Sequence, residues 1–146
     1  MNDTLNPSQI GDIVELKCQL YLIENGWNVL VPIGNHQKYD LVIEKDNSFY
    51  RIQCKHSSKT DRGFLVRTKY EIRDSGKLIQ KTYTNKDCDY FMTEFENKFY
   101  IFPVWGTSET HFWLVKPRIK TCKFAEDYIA NRVLTGLQSP SGLFIE

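Results

Sequence analysis

The amino-acid sequence predicts an α/β fold of the α+β type, with helices near the two ends, strands between them and an added β-hairpin. Three features of the chain predict it. Apolar residues recur at helical spacing at 6–25 and 124–137, near the two ends. Between them lie short apolar runs bounded by turn residues, a pattern typical of strands. One pair of these runs, at 64–84, differs from the rest because it is strongly basic.

The composition is that of an ordinary globular protein. With 146 residues, of which 41% are hydrophobic and 25% charged, we expect one domain with a sizeable core. The sequence contains no apolar run of the ~18 residues that a membrane span requires, and we expect no signal peptide. We therefore expect a cytoplasmic location and no membrane partner. The cysteine spacing favours neither zinc nor disulfides and predicts four separate thiols, at Cys18, Cys54, Cys88 and Cys122.

Positive charge is concentrated in one part of the chain. Residues 51–86 contain ten Lys or Arg and three Asp or Glu, so this segment carries +7 although the whole chain carries +1. A basic segment on an otherwise acidic chain is typical of proteins that bind a polyanion, and nucleic acid is the expected partner. The alternative is a charged strand face that contacts solvent alone.

The first helix has clear start and stop signals. Asn6 is predicted to be its N-cap, Pro7 to occupy its first turn, and Gly26 to end it. Helical spacing predicts one buried apolar stripe on this helix, formed by Ile13, Leu16, Leu20 and Ile23.

A second stripe of the same helix holds Gly11, Glu15 and Cys18. A glycine allows another group to approach the backbone, and a carboxylate four residues later can reach toward that group. Glu15 is therefore a candidate functional residue, although an exposed helix glutamate would show the same pattern.

A strand at 27–32 precedes a hairpin at 39–55, whose two apolar runs flank the turn residues 45–48. Strand alternation places Leu41 and Ile43 in the core, with Phe49 and Ile52 as partners from the neighbouring strand.

The open end of this hairpin is polar. Asp40 begins the first run, and Gln53 and Lys55 end the second, two residues apart and so on one face of the strand. A carboxylate, an amide oxygen and an ammonium in one place are suited to a hard cation and a phosphate.

Residues 64–72 and 77–84 are predicted to form a two-stranded ribbon around a turn at 73–76. Such a ribbon fits the DNA major groove, where its side chains can contact base edges and phosphates. An edge hairpin kept soluble by lysines is the alternative. The candidate DNA-binding residues are Lys59, Arg62, Arg67, Lys69, Arg73, Lys77, Gln80, Lys81 and Tyr83.

The last third of the chain is predicted to contain a hairpin at 89–93 and 98–104, a short strand at 112–115 and a helix at 124–137. We expect this helix to stop near Gly136. A flexible connector at 138–142 is then predicted to lead to a last apolar segment at 143–145.

The order of Glu15, Asp40, Gln53 and Lys55 resembles the PD-(D/E)XK nuclease superfamily, the core fold of many restriction enzymes and Holliday-junction resolvases. Glu15 matches the helix carboxylate of that family, Asp40 its aspartate and Lys55 its lysine. Gln53 stands at the (D/E) position, where it replaces a carboxylate by a neutral oxygen.

Within the superfamily the chain is most similar to homing endonucleases encoded in cyanobacterial group I introns. The similarity rests on the chain length and on the segments 11–16, 26–32, 39–42 and 50–55. It implies a single nuclease domain, 1–146, with a restriction-endonuclease-like core at 6–56 and 87–137. In that core a mixed central sheet would be flanked by helices. A DNA-recognition ribbon at about 57–86 would be inserted in that core.

The resemblance implies a Mg²⁺-dependent, site-specific endonuclease that hydrolyses phosphodiester bonds of double-stranded DNA. Asp40, Gln53 and Glu15 would hold the metal, and Lys55 would orient the attacking water and shield charge. Since one subunit has one site, the resemblance implies a homo-oligomer, a dimer at minimum and a tetramer as the expected form. The alternatives are a Holliday-junction resolvase and a catalytically inactive DNA-binding module of the same fold.

Overall fold

The computed structural model describes residues 4–137. The helices of this part of the chain are α1 (Pro7–Glu24), a 3₁₀ helix (Ala125–Tyr128) and α2 (Ala130–Leu137). Its strands are β1 (Asn28–Leu30), β2 (Leu41–Lys45), β3 (Ser48–Cys54), β4 (Ser57–Lys59), β5 (Gly63–Arg67), β6 (Lys69–Asp74), β7 (Lys77–Thr82), β8 (Tyr90–Phe95), β9 (Lys98–Pro103), β10 (Glu109–Trp113) and β11 (Lys123–Phe124). None of the described helices is long and apolar enough to span a membrane.

The strands form three sheets. The central sheet has the order β1-β2-β3-β8-β9, in which β3 and β8 are parallel and the other neighbours antiparallel. A second sheet has the order β11-β10-β5-β4, and β6 and β7 form a separate two-stranded ribbon. The mixed central sheet, the helices and the added hairpin confirm the predicted fold class.

Helix α1 packs on the central sheet through a stripe that differs from the predicted one. Its buried residues are Val14, Cys18 and Leu22, which belong to the same core cluster as strands β2 and β3. The stripe that was predicted to be buried consists of Ile13, Leu16, Leu20 and Ile23. These residues are between 38% and 63% exposed, so the prediction is wrong for all four. Helical spacing identifies apolar stripes, but it does not decide which of two opposite stripes meets the sheet.

The ends of α1 follow the prediction. The Asn6 side-chain oxygen accepts a hydrogen bond from the Gln9 backbone N–H at 2.8 Å, and the Asn6 N–H donates to Gln9 Oε1 at 2.9 Å. This reciprocal arrangement is a capping box. Gly26 follows the helix with a φ of +87°, a left-handed conformation that glycine adopts without strain. Both predicted boundaries are confirmed.

Strands β2 and β3 form the hairpin that was predicted at 39–55. Its turn residues Asp46 and Asn47 have φ values of 51° and 67°, as in a type I′ turn. Phe49 is 58% exposed, so its predicted place in the core is wrong. It lies three residues from Ile52, an odd separation that places the two side chains on opposite faces of β3. The other predicted core residues of the hairpin are fully buried: Leu41, Ile43 and Ile52.

The first arm predicted for the ribbon, 64–72, is two strands rather than one. Phe64 and Val66 of β5 are fully buried, and Phe64 stacks on Phe112 with 5.0 Å between ring centroids. At Thr68 the chain turns away, because its N–H and hydroxyl donate to backbone carbonyls of the 107–108 segment at 2.9 and 2.6 Å. Aromatic packing therefore ties β5 to the second sheet, and the ribbon comprises β6 and β7 alone.

The predicted helix at 124–137 is interrupted at Ile129. After the 3₁₀ helix, Ile129 is extended, with a ψ of 128°, and forms a β-bridge with Tyr100 of β9. Helix α2 then buries Ala130 and Leu134 in the core beneath α1. The interruption arises from pairing with a distant strand, which helical spacing does not show. The segments predicted at 138–142 and 143–145 lie outside the described residues.

Candidate active site

Asp40 lies immediately before β2, next to the end of β3. Its backbone N–H donates to the carbonyl oxygen of Ile52 at 2.9 Å. Its carboxylate Oδ2 accepts a hydrogen bond from the backbone N–H of Cys54, also at 2.9 Å. One bond to β3 thus holds the Asp40 backbone, and one bond from β3 holds its carboxylate beside residues 53–55.

Glu15 on α1 is electrostatically coupled to Asp40. Burial and the charge of Asp40 raise the pKa of Glu15, while a hydrogen bond from Gln19 Nε2 at 3.4 Å opposes that rise. Burial also raises the pKa of Asp40, against the Cys54 hydrogen bond and the ammonium of Lys55. A bound cation would relieve the electrostatic cost of keeping both carboxylates charged.

Gln53 and Lys55 point to the face of the central sheet opposite α1. Ile52 and Cys54, which alternate with them along the chain, are buried in the core beneath α1. The Lys55 backbone N–H donates to the carbonyl oxygen of Met92 on β8 at 2.9 Å, so the pairing continues one residue past β3. The structure therefore brings both residues to the end of the sheet that holds Asp40.

The Lys55 side chain lies where this site meets the ribbon. Burial lowers the pKa of Lys55, and the charge of Asp40 opposes the decrease. A lysine with a lowered pKa beside an aspartate with a raised pKa is typical of a catalytic site. A cleft of about 340 Å³ lies beside it, lined by Lys55, His56, Arg67, Lys69, Tyr70 and Glu71.

The donors of the site fit a hard divalent cation. Glu15, Asp40 and Gln53 provide oxygen atoms, which Mg²⁺ prefers, and the amide of Gln53 leaves the set with two formal negative charges. Within residues 4–137 no group of three or more His, Cys, Asp or Glu side chains is placed to hold a metal. A third protein ligand would therefore be Gln53, and the three metal assignments stay predictions.

Two of the cysteines lie directly beneath these residues. Cys18 of α1 and Cys54 of β3 lie in the same core cluster, and the interaction of the two thiols together with burial raises the pKa of Cys54. The sequence did not predict that these two thiols are neighbours, because they meet only when α1 packs on β3. All four cysteines are free thiols.

Five of the predicted DNA-binding residues lie on the ribbon, where β7 is exposed along its whole length. Gln80 accepts a hydrogen bond from Lys69 Nζ at 3.2 Å and donates one to Glu71 at 3.4 Å, which links the two strands. The five predicted residues on the ribbon are Lys69, Arg73, Lys77, Gln80 and Lys81. The contacts of these five residues with DNA stay predictions.

The other predicted DNA-binding residues lie outside the ribbon. Lys59, Arg62 and Arg67 belong to the β4–β5 part of the second sheet. Arg67 pairs with Glu109 at 3.2 Å, and the Arg62 guanidinium lies 4.5 Å from the Trp113 ring centroid. Tyr83 is 4% exposed and lies in the aromatic core, 5.0 Å from Lys55 Nζ. The predicted set thus occupies three different environments.

Arg51 has a structural role that the charge count did not predict. It pairs with Asp89 at 3.0 Å and donates to the backbone carbonyls of Asn85 and Lys86 at 2.8 Å each. These bonds fasten the segment between the ribbon and β8 to the central sheet. The charge of Arg51 is therefore neutralised within the fold, and the +7 of residues 51–86 overstates the charge available to a ligand.

A second basic surface was also missed from the sequence. A cleft of about 600 Å³ lies between Arg62 and Trp113 on one side and the segment 115–119, with Lys116 and Arg118, on the other. The signal was present in the sequence, because residues 116–123 contain four Lys or Arg. Strand alternation does not reveal this surface, because the segment is a loop between β10 and β11.

The candidate site lies in the part of the chain that matches known proteins. A family model described as PD-(D/E)XK endonuclease matches residues 5–130. The search of curated proteins found no match. A solved structure described as a bacterial homing endonuclease, I-Ssp6803I, is similar, with a TM-score of 0.74 and 26% sequence identity. That similarity covers 95% of this chain and 98% of the other.

Proposed function

Because the chain belongs to the PD-(D/E)XK endonuclease family, we propose that this nuclease is a metal-dependent, site-specific DNA endonuclease of the intron-homing type. It would hydrolyse both strands of a DNA duplex. The observation that supports this most directly is the cleft that joins Lys55 to Arg67 and Lys69. Three cations along one cleft are suited to a DNA backbone that runs from the ribbon to the reacting phosphate.

The residues of the site have different roles in the proposed reaction. As water attacks phosphorus, negative charge grows on the phosphoryl oxygens and on the leaving oxygen. Lys55 orients the water and stabilises that charge through its ammonium. Asp40, Gln53 and Glu15 would hold Mg²⁺, which supplies further positive charge at the phosphate when bound. The backbone N–H of Cys54 keeps the Asp40 carboxylate in place.

The ribbon is proposed to recognise the target in the major groove. Its strands pair from Lys69 with Thr82 to Asp74 with Lys77, and the residues at its tip are exposed. Arginine, lysine and glutamine donate to base edges and phosphates, and an exposed ribbon presents them without competing packing. Exposure of β7 along its whole length supports this role.

We propose self-association through the exposed stripe of α1, to a dimer at minimum and a tetramer as the expected form. Two active sites are needed to cut two strands, since one chain holds one site. The stripe has the alternating spacing of three and four residues that helix pairs use, and a cleft of about 310 Å³ with Leu5 and Ile10 adjoins it. Its residues are Ile13, Leu16, Leu20 and Ile23.

Glutamate at two positions of this stripe tests the assembly. Leu16→Glu combined with Leu20→Glu is expected to reduce the molar mass in solution at least twofold, because charge would be buried without a partner. Light scattering coupled to size-exclusion chromatography measures the mass. Phe49→Glu, at an apolar residue exposed elsewhere, is the control and should keep the wild-type mass. An unchanged mass in the double variant would place the interface on another surface.

We propose that the chain forms one nuclease domain in which the ribbon is inserted between β5 and β8. We place it in the cytoplasm, where reducing conditions keep thiols reduced. The free thiols of all four cysteines are consistent with that location.

A second candidate function rests on Gln53. An amide in place of a carboxylate would lower the metal affinity of the site. A DNA-binding module of this fold that has lost catalysis would carry the same residues at these positions. Its signature is salt-sensitive DNA binding without metal-dependent cutting.

The test incubates the purified chain with a library of random linear duplexes and Mg²⁺, and sequences the cut molecules. We expect cleavage at one sequence class, which EDTA abolishes. Faster cutting of four-way junctions than of any linear duplex would favour a junction resolvase. Binding without cutting under every metal tested would favour the inactive module and contradict the proposal.

A further inference from the structure

The ammonium of Lys55 lies between the two strands at the base of the ribbon. Its Nζ donates to the carbonyl oxygen of Lys69, the first residue of β6, at 3.4 Å. It also lies over the Tyr83 ring, 5.0 Å from the ring centroid, and Tyr83 directly follows the last residue of β7. One ammonium is therefore contacted from both strands at the point where the ribbon joins the core.

The Tyr83 ring is held by aromatic neighbours on two sides. It meets Phe91 of β8 edge-on at 5.1 Å and Tyr70 of β6 edge-on at 5.0 Å between centroids. Phe91 is 1% exposed and stacks on Phe102 of β9, so it is part of the packed core. A ring packed in this way has a defined orientation, which a flexible side chain such as lysine lacks.

We propose that Tyr83 is a positioning residue for the catalytic lysine: the face of its ring, together with the Lys69 carbonyl, holds the Lys55 ammonium in the site. The inference deepens the proposed function and rests on it, because it takes Lys55 as the catalytic group. It assigns Tyr83 a role different from the DNA contact predicted from sequence, since a ring that is 4% exposed offers little surface to a ligand.

The physical basis is the attraction of a cation to the negative face of an aromatic ring. This attraction is stronger where water is excluded, and Lys55 is half-buried at this position. A lysine side chain has four flexible bonds, so its ammonium can occupy many positions unless neighbours restrict it. The ring and the carbonyl restrict it from two directions. Since both neighbours belong to the ribbon base, the seating of the ribbon determines where the ammonium lies.

The test compares two substitutions of Tyr83 with one of a tyrosine elsewhere in the core. Tyr83→Leu removes the ring, whereas Tyr83→Phe keeps the ring and removes the hydroxyl. Tyr100→Leu is the matched control, because Tyr100 is 2% exposed and packs on Phe64 in the same aromatic cluster. The thermal midpoint of each variant identifies general loss of packing.

Single-turnover cleavage and DNA affinity are measured on the full chain with Mg²⁺. We expect Tyr83→Leu to lower the cleavage rate constant about tenfold, the scale of a cation–π contact, while DNA affinity is unchanged. Tyr83→Phe and Tyr100→Leu are both expected to cleave DNA at the wild-type rate. Equal losses in the Leu and Phe variants of Tyr83 would overturn the proposal. So would a loss of affinity that accounts for the loss of rate.

A spectroscopic measurement tests the contact independently of cleavage. In protein with ¹³C-labelled lysine, the ring current of Tyr83 should shift the ε-methylene protons of Lys55 upfield, and Lys55→Arg identifies their signal by its loss. The shift is expected to persist in Tyr83→Phe. An unshifted Lys55 signal in the wild-type chain would overturn the inference even if the chain cuts DNA. A shifted signal in a chain that cuts no DNA would support the contact and refute the proposed function instead.

Discussion

The two hairpins β2–β3 and β6–β7 carry similar charged residues in opposite surroundings. The first lies inside the central sheet, between β1 and β8, and the second pairs with no further strand in the described part of the chain. Burial raises the pKa of Asp40 and lowers the pKa of Lys55 at the first hairpin. The second exposes all of β7 to solvent.

This difference shows how one fold separates two tasks. Partial burial gives a few charges defined positions and shifted pKa values, at the expense of stability. Exposure leaves many charges in water, where each contributes a weak, salt-screened contact with a polyanion. We therefore expect substitutions in the buried hairpin to change the rate of reaction and those in the ribbon to change affinity.

The largest effect is expected from the buried lysine. Lys55→Ala should lower the rate of DNA cleavage roughly 10²–10⁴-fold, because charge in the transition state loses its partner. DNA affinity should remain near wild type, and removal of Mg²⁺ should give the same pattern. Lys98→Ala, at an exposed lysine of β9, is the control in assays of cleavage and filter binding. Undiminished cutting by the Lys55 variant would refute the assignment of the active site.

A smaller effect is expected from the cations near the ribbon. Lys69→Ala and Arg67→Ala should each weaken DNA binding about fivefold and reduce the slope of log affinity against log salt by about 1. The free energy of unfolding should change by less than about 0.5 kcal/mol, since both side chains are near the surface. Titrations at several salt concentrations measure the slope. Affinity unchanged in both variants would mean that the hairpin is an edge structure kept soluble by its charges.

The smallest effect is a gain of stability at the buried carboxylate. Asp40→Asn keeps an oxygen to accept the Cys54 hydrogen bond and removes a charge that burial disfavours. We expect the thermal midpoint of the metal-free protein at pH 7 to rise by about 3 °C. Calorimetry measures this midpoint. A lower midpoint in the variant would show that the charged form is stabilised by its hydrogen bond more than burial destabilises it.

The pH dependence of that gain follows from the raised pKa of Asp40. The folded state binds a proton more tightly than the unfolded state, so stability decreases as the pH rises from the ordinary value of 3.8 through the folded pKa. The difference between wild type and Asp40→Asn should therefore vanish below pH 3.8 and be complete above the raised pKa. Mg²⁺ should raise the midpoint of the wild type more than that of the variant.

Much of the catalytic hairpin could be predicted from local pattern. Asp40, Gln53 and Lys55 were placed together because strand alternation has a fixed period of two and a short turn sets the register. The prediction failed for Phe49, because its odd separation from Ile52 places it on the opposite, exposed face of β3. The division of 64–72 at Thr68 was likewise not predicted, because it depends on hydrogen bonds to the distant 107–108 segment.

The sequence by itself determined the ends of α1, the turns of both hairpins and the shared face of Gln53 and Lys55. Each depends on residues that are close along the chain, so their side chains and backbone angles suffice to specify it. Tertiary structure decided which stripe of α1 meets the sheet, where Cys18 meets Cys54, and that Tyr83 lies against Lys55. Those outcomes depend on packing between distant segments, and burial then sets the pKa of the groups that packing brings together.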